Sequence, residues 1–289
     1  MKRFVIAGLV SIASFSALAA ERQISDLMYL PNQGTKFGET GLGIVAGNAQ
    51  LKSGRAIFMG YALKQDLGYA LADNLSVKLG LGFQHLDTKV RTGDDDTTFL
   101  TTNGIQEPTV DVRFRALEGE MILDVVGKAQ VKIGDAEQDG SKSNALEGNN
   151  AVGFDVELGQ KKGNWQYFVV AGAEYDMESV EKLKGRSGPG KNKKKAHYDY
   201  NAGANVQYQA NEKVFILAGV NAEFEPKVKY KNSSEKDDAS INLNYSVGAN
   251  YVVNKDMLLN FGYQLSDVKS KDVRNWALST VSASALYQF

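Results

Sequence analysis

The sequence predicts an all-β chain that folds as a transmembrane antiparallel up-and-down β-barrel of about twelve strands. Three observations carry this reading: period-two alternation along nearly the whole chain, short turns alternating with longer polar stretches, and aromatic residues gathered near strand ends. A transmembrane strand meets lipid only at every second residue, so the mildly negative mean hydropathy is no argument against a membrane.

From the N-terminus, Lys2 and Arg3 precede an apolar run from Phe4 to Leu18 that ends in Ala17-Leu18-Ala19. This is the charged, apolar, small-residue order of a secretory signal peptide, expected to span residues 1–20 with cleavage after Ala19 or Ala20. Ser11, Ser14 and Ser16, and a length short of the ~20 apolar residues of a spanning helix, argue against an anchor. Residues 21–36 are expected as a short periplasmic segment and residues 37–289 as the barrel. So short a lead-in leaves no room for a plug domain of the TonB-receptor kind or for a secreted passenger. The chain has no cysteine, so its stability comes from packing and hydrogen bonding rather than disulfides. Without Lys2 and Arg3 the formal charge of -1 becomes -3, which suits no nucleic-acid partner.

The alternation is explicit in several segments. Leu75, Val77, Leu79, Leu81 and Phe83 share one face against Ser76, Lys78, Gly80, Gly82 and Gln84, while Val214, Ile216, Ala218, Val220, Ala222 and Phe224 oppose Asn221, Glu223 and Glu225. Ile241, Leu243, Tyr245, Val247, Ala249, Tyr251 and Val253 oppose Asn242, Asn244, Ser246, Gly248 and Asn250, and the run from Tyr198 to Tyr208 repeats the pattern. Twelve strands are predicted near 37–51, 55–71, 75–90, 108–117, 121–132, 149–160, 164–181, 197–210, 213–230, 239–253, 257–269 and 274–289. Tight turns at Ala72-Asp73-Asn74, Glu118-Gly119-Glu120, Lys161-Lys162-Gly163, Asn211-Glu212 and Asn254-Lys255-Asp256 alternate with longer polar loops near 91–107, 133–148, 182–196 and 231–238. Turns on one rim and loops on the other imply turns facing the periplasm. Tyr69, Trp165, Tyr167, Tyr208, Tyr251, Tyr287 and Phe289 fall at the turn rim and Phe83, Tyr175, Tyr198, Tyr200 and Phe224 toward the loop rim, as interfacial belts do. A secreted β-sandwich would also alternate, but it explains neither the belts nor the asymmetry of turns and loops.

The last strand, Val281, Ala283, Ala285, Tyr287 and Phe289 on one face, resembles the C-terminal strand of bacterial outer-membrane proteins. That resemblance implies that Tyr287 and Phe289 form the signal read by the barrel-assembly machinery, and it places the chain in the cell outer membrane. The segment Leu67-Gly68-Tyr69-Ala70-Leu71-Ala72-Asp73-Asn74-Leu75-Ser76-Val77-Lys78-Leu79-Gly80-Leu81-Gly82 resembles the strand-turn-strand unit of small porin-like barrels grouped with the phenol-degradation meta-pathway proteins. It covers one hairpin and implies a small barrel that is a pore, without naming a solute.

Enzymatic chemistry has little to work with. By alternation His85 and Asp87 face lipid near the loop rim with no serine two residues away, and His197 and Asp199 share a lumen face with no nucleophile in the sequence beside them. Asp94-Asp95-Asp96 lacks the spacing of a calcium loop, and no metal or other cofactor is expected. The loop 182–196 carries Lys182, Lys184, Arg186, Lys191, Lys193, Lys194 and Lys195 without one acid, and reads either as a flexible solvated loop or as a contact for lipopolysaccharide phosphates or another anion. Inward positions give Lys78, Arg113, Arg115, Lys128 and Lys132 on the third to fifth strands. The sixth, seventh and ninth strands give Asp155, Glu157, Glu174, Asp176, Glu178, Glu223 and Glu225. Such walls of opposite sign select solutes in porins, or else the charges pair and fill the interior. The expected function is passive diffusion of small polar or ionic solutes, with outer-membrane lipids and lipopolysaccharide as surroundings. The alternatives are a non-conducting surface barrel and, third, a lipid-modifying enzyme.

Overall fold

The computed structural model describes residues 22–51, 54–92, 96–184, 190–231, 236–237, 239–270 and 273–289. Residues 1–20, expected from the sequence as a signal peptide, lie outside the described residues. Among the described residues twelve wall strands close an antiparallel barrel. They are β1 (Lys36–Leu51), β2 (Gly54–Ala72), β3 (Leu75–Thr92), β4 (in two pieces, Asp96–Ile105 and Thr109–Leu117), β5 (Met121–Gln130) and β6 (Ala151–Lys162). Then follow β7 (Trp165–Asp176), β8 (His197–Gln209), β9 (Val214–Glu225), β10 (Ser240–Asn254), β11 (Met257–Ser270) and β12 (Val273–Gln288). Each pairs with its sequence neighbours, and β12 returns to β1 from Phe37↔Gln288 to Leu51↔Val273. The seam is finished by Phe289, whose N–H donates to the Lys36 carbonyl at 2.9 Å and whose carbonyl accepts from the Lys36 N–H at 3.3 Å. The closed ladder pairs neighbouring wall strands around the ring, which is what a hydrocarbon surround demands, while the Asp96–Ile105 piece of β4 is paired on its second edge at Thr101 and Thr102.

The alternation sorts side chains as expected. Ile44, Met59, Leu63, Val247 and Val281 stand exposed on the outside at 46–66 %, an apolar surface that only lipid would cover. The aromatics form ring pairs at both rims: Trp165 lies 4.7 Å from Tyr208, Tyr287 lies 5.9 Å from Phe289, and Tyr175 lies 4.8 Å from Tyr198. Close ring packing over the backbone needs glycine beneath it. A Cβ on Gly38 would lie 2.8 Å from the Tyr287 ring.

Two expected loops are more regular than their composition suggested. The β3–β4 hairpin continues well past residue 90, because Phe99 and Leu100 pair with Lys89 and Thr88 and β-branched threonines fill the rest of the ladder. The chain breaks this extension from the lower part of β4 at Gln106-Glu107-Pro108, where Pro108 has no N–H to donate. The basic loop folds back on itself as a hairpin, Ser179–Lys184 against Gly190–Lys194. It is anchored by a second small hairpin, Ala136–Asp139 with Lys142–Ser143, whose first strand pairs in parallel with it. Lys182 sits 3.1 Å from Asp135 and 3.3 Å from Glu137, so acids from a different loop neutralise a run that contains none of its own.

Candidate functional site in the barrel lumen

The lumen has three zones, set by which inward residues each strand brings to a given height. At the turn rim the mouth is filled by the segment 22–35, of which residues 24–31 are buried. Ile24 and Tyr29 pack on Leu258 of β11, with Val252 and Leu286 beside them, while Met28 packs on Ile122 of β5 against Phe168. Since β5 and β11 lie six strands apart in a ring of twelve, the segment spans the full width of the mouth. Its backbone is held by wall side chains: Gln207 donates to the Ser25 carbonyl at 2.8 Å, Arg115 to the Met28 carbonyl at 2.5 Å, and the Leu27 N–H donates to Gln166 Oε1 at 2.6 Å. Asp26, 1 % exposed, accepts from Lys161 at 2.9 Å and Gln166 at 3.0 Å. Arg22 closes the outer side with a two-pronged bond to Glu118 at 2.8 and 3.0 Å. Ile24, Leu27, Met28, Tyr29 and Leu30 in a stretch assigned to water were the sequence signal for this arrangement.

Above this segment lies the charged zone. Positive and negative residues were expected on facing walls, but β4, β5 and β6 are neighbours, so the two signs meet along one seam and pair across it. Arg115 grips Asp124 at 2.8 and 3.0 Å, and Arg113 reaches Asp124 at 2.9 Å and Glu157 at 2.8 Å. Lys128 pairs with Asp155, and Lys78 lies 3.1 Å from Asp66 and 3.0 Å from Asp111. Arg115 and Asp124 are almost wholly buried, whereas Lys78 and Lys128 keep a fifth to a third of their side chains open to the lumen. A cavity bounded below by Tyr29 and Pro31 reaches these groups, lined by Glu39, Asp66, Lys78, Asp111, Arg113 and Asn260. Lys132 stands above it in the loop and binds Asp135 at 2.5 Å.

Toward the loop rim the two sides differ. On β12 and β1–β3 the inward residues Val45, Ala49, Phe58, Leu86, Trp276 and Leu278 form a buried apolar cluster, with Val268 of β11 packed against it and Phe58 and Trp276 stacked at 5.5 Å. Opposite, β7–β9 carry Glu174, Asp176, His197, Asp199, Glu223 and Glu225. Glu223 accepts from Asn242 at 3.0 Å and Asn244 at 3.3 Å, and Glu225 accepts from Lys194 at 2.9 Å. Among the described residues Glu174 makes no ion pair. Glu178 faces outside this group, in the loop, where Lys231 beside it holds its carboxyl below the usual range. The remaining path through the outer half therefore runs along an acidic wall.

Of the basic loop, Lys182 and Lys194 are committed to acids, while Lys193 and Lys195 are exposed. Arg186 and the side chains of Lys184 and Lys191 lie outside the described residues. On the outer surface His85 stands 3.4 Å from Asp87 and 3.2 Å from Asn103 Oδ1, with Thr101 donating to Asp87 at 2.7 Å.

No protein-family model matches the chain, and no curated protein matches it in sequence. Solved structures do match in shape. The COG4313 outer membrane channel from Pseudomonas putida F1 superposes with a TM-score of 0.67 at 15 % identity, over 90 % of this chain and 97 % of that one. The translocator domain of the autotransporter NalP from Neisseria meningitidis superposes with a TM-score of 0.55 at 13 % identity, over 89 % of this chain and 90 % of that one. At these identities the likeness is one of fold, and the fold is that of a small outer-membrane β-barrel.

Proposed function

We propose that the protein is an outer-membrane channel for small polar or ionic solutes that rests closed at its turn rim, with residues 22–35 as the closing element. One observation carries this reading. The outward surface is apolar, the lumen above Tyr29 is charged and partly open, and the mouth below is filled by a separate segment rather than by the wall's own side chains. A dry structural barrel would bury its charges throughout, whereas Lys78 and Lys128 keep a fifth to a third of their side chains exposed. The resemblance to an outer membrane channel in fold agrees with it. The acidic wall favours cations, because Glu174 faces the remaining path with no ion pair among the described residues. The test is the reversal potential of the purified barrel lacking residues 22–30 in a salt gradient. Cation preference that moves toward anions in Glu174→Gln supports the assignment, and indifference to that change contradicts it. The surface-barrel alternative keeps Lys193 and Lys195 as exposed cations for lipopolysaccharide phosphates, a role compatible with conduction.

A further inference from the structure

The acidic wall contains a second arrangement that conduction does not require. His197 is 9 % exposed as a side chain, and its Nδ1 lies 3.3 Å from the Lys195 carbonyl oxygen. A carbonyl only accepts, so Nδ1 carries the proton in that bond and Nε2 is left with its lone pair facing inward. Three carboxylate oxygens converge on that nitrogen: Asp199 Oδ1 at 3.6 Å, Glu225 Oε1 at 3.7 Å and Asp176 Oδ2 at 3.8 Å. None is at hydrogen-bond distance. A doubly protonated ring paired with these acids would draw one of them to ~2.7–2.9 Å. A neutral ring would point its lone pair at three carboxyl groups; Lys194 offsets Glu225 at 2.9 Å, and a cation bound between His197, Asp176 and Asp199 would offset the other two.

The ligand atoms of Asp176, His197 and Asp199 all lie within 4.8 Å of one another. Around Zn²⁺, with bonds of ~2.0–2.2 Å, tetrahedral ligands stand about 3.3 Å apart. The separations of 3.6 and 3.8 Å from His197 are close to that, and the two aspartates, within 4.8 Å, would draw together around an ion. Asp199 Oδ1 is buried without a hydrogen-bond partner. The other oxygen of Asp176 is already fixed, accepting from Asn149 at 2.5 Å, as outer partners fix metal ligands. Glu225 is shared with Lys194, which leaves His197, Asp176 and Asp199 as the primary set. We propose that these three residues form a binding site for one divalent transition-metal ion of the Zn²⁺ class, tying β7 to β8 on the lumen wall at the loop rim. One imidazole with carboxylates suits such ions better than Mg²⁺, which prefers oxygen ligands and retains its waters. The site does not depend on the channel reading, because its occupancy is measured on the folded barrel.

The test is titration of the purified, chelator-treated full barrel with ZnCl₂ by calorimetry, with Co²⁺ as an absorbing probe. Saturable binding of one ion per chain, a visible Co²⁺ band showing ligand-field coordination, and at least a tenfold loss of affinity in both His197→Gln and Asp199→Asn are expected. Heat-modifiable migration on gels checks that each variant is folded. His85→Gln, on the outer surface, should bind as the parent does. The proposal is overturned by absence of saturable binding, by unchanged affinity in both folded lumen variants, by loss of binding in His85→Gln, or by displacement of Zn²⁺ by a modest excess of Mg²⁺.

Discussion

Arg115 joins the barrel wall to the segment inside it: one guanidinium holds both oxygens of Asp124 and donates to the backbone carbonyl of Met28. Because the bond is made to backbone, it fixes the position of the segment whatever its side chains are. Arg115→Met should both release Met28 and strand part of the charge on Asp124, which keeps Arg113. A loss of about 3 kcal/mol is expected, the low end for a buried pair broken on one side. Urea unfolding in micelles measures it, and limited proteolysis should cut within residues 22–30 faster than in the parent.

Met28 is also seated sterically. A Cβ on Gly159 would lie 2.1 Å from the Met28 sulfur, so Gly159→Val must push that side chain away. The expected result is a larger fraction of time in the conducting state in planar bilayers, reversed by adding Met28→Ala. An unchanged bilayer record in Gly159→Val would separate Met28 from closure.

Lys128 is the pair most open to lumen water among those of the seam, with Asp155 beneath it at 8 % exposure. Lys128→Met leaves Asp155 with Asn201, whose amide donates to it at 3.1 Å. Destabilisation of about 1.5–3 kcal/mol is expected, the range for hydrogen bonds to charged groups. Thermal unfolding followed by the gel shift reads it, and a loss near zero would mean that water already carries the charge.

The two small loop hairpins are tied through Asp135, whose carboxyl is held below its ordinary range by hydrogen bonds from Lys132 and then Lys182. A depressed carboxylate stabilises the docked loops above its undocked value and stops doing so as pH falls through the docked one. The tie should therefore hold at neutral pH, begin to weaken as pH falls below about 4, the usual carboxylate value, and be lost only as pH falls through the lower docked value. Spin labels on cysteines at Ser141 and Lys193 should show one narrow distance at pH 7 that broadens in acid. A distance unchanged in acid would assign docking to the backbone pairing alone.

The barrel was legible because its rule is local: alternation at Leu75–Gln84 or Ile241–Val253 states which residues meet lipid without knowledge of any partner strand. What lies inside was less so. Arg113 and Glu157 are 44 residues apart and meet only because β5 pairs with both of their strands, β4 and β6. His197 was visible beside Asp199, but Asp176 joins them through the β7–β8 register, which a single sequence does not display. The inward apolar cluster breaks the alternation rule outright, since Ala56 and Phe58 alternate with Ile57 and Met59 and both faces of that strand are apolar there. The basic hairpin was hidden for another reason: its acids belong to a loop some 45 residues earlier.

The most direct measurement of the central claim is the bilayer conductance of the full chain beside that of a variant lacking residues 22–30, both verified as folded by heat-modifiable migration. The full chain should conduct rarely or at low amplitude, and the shortened chain should show long-lived openings at the same salt concentration. A folded, shortened barrel that remains silent would contradict the account, placing the barrier in the wall and loops rather than in the segment that Arg115 holds.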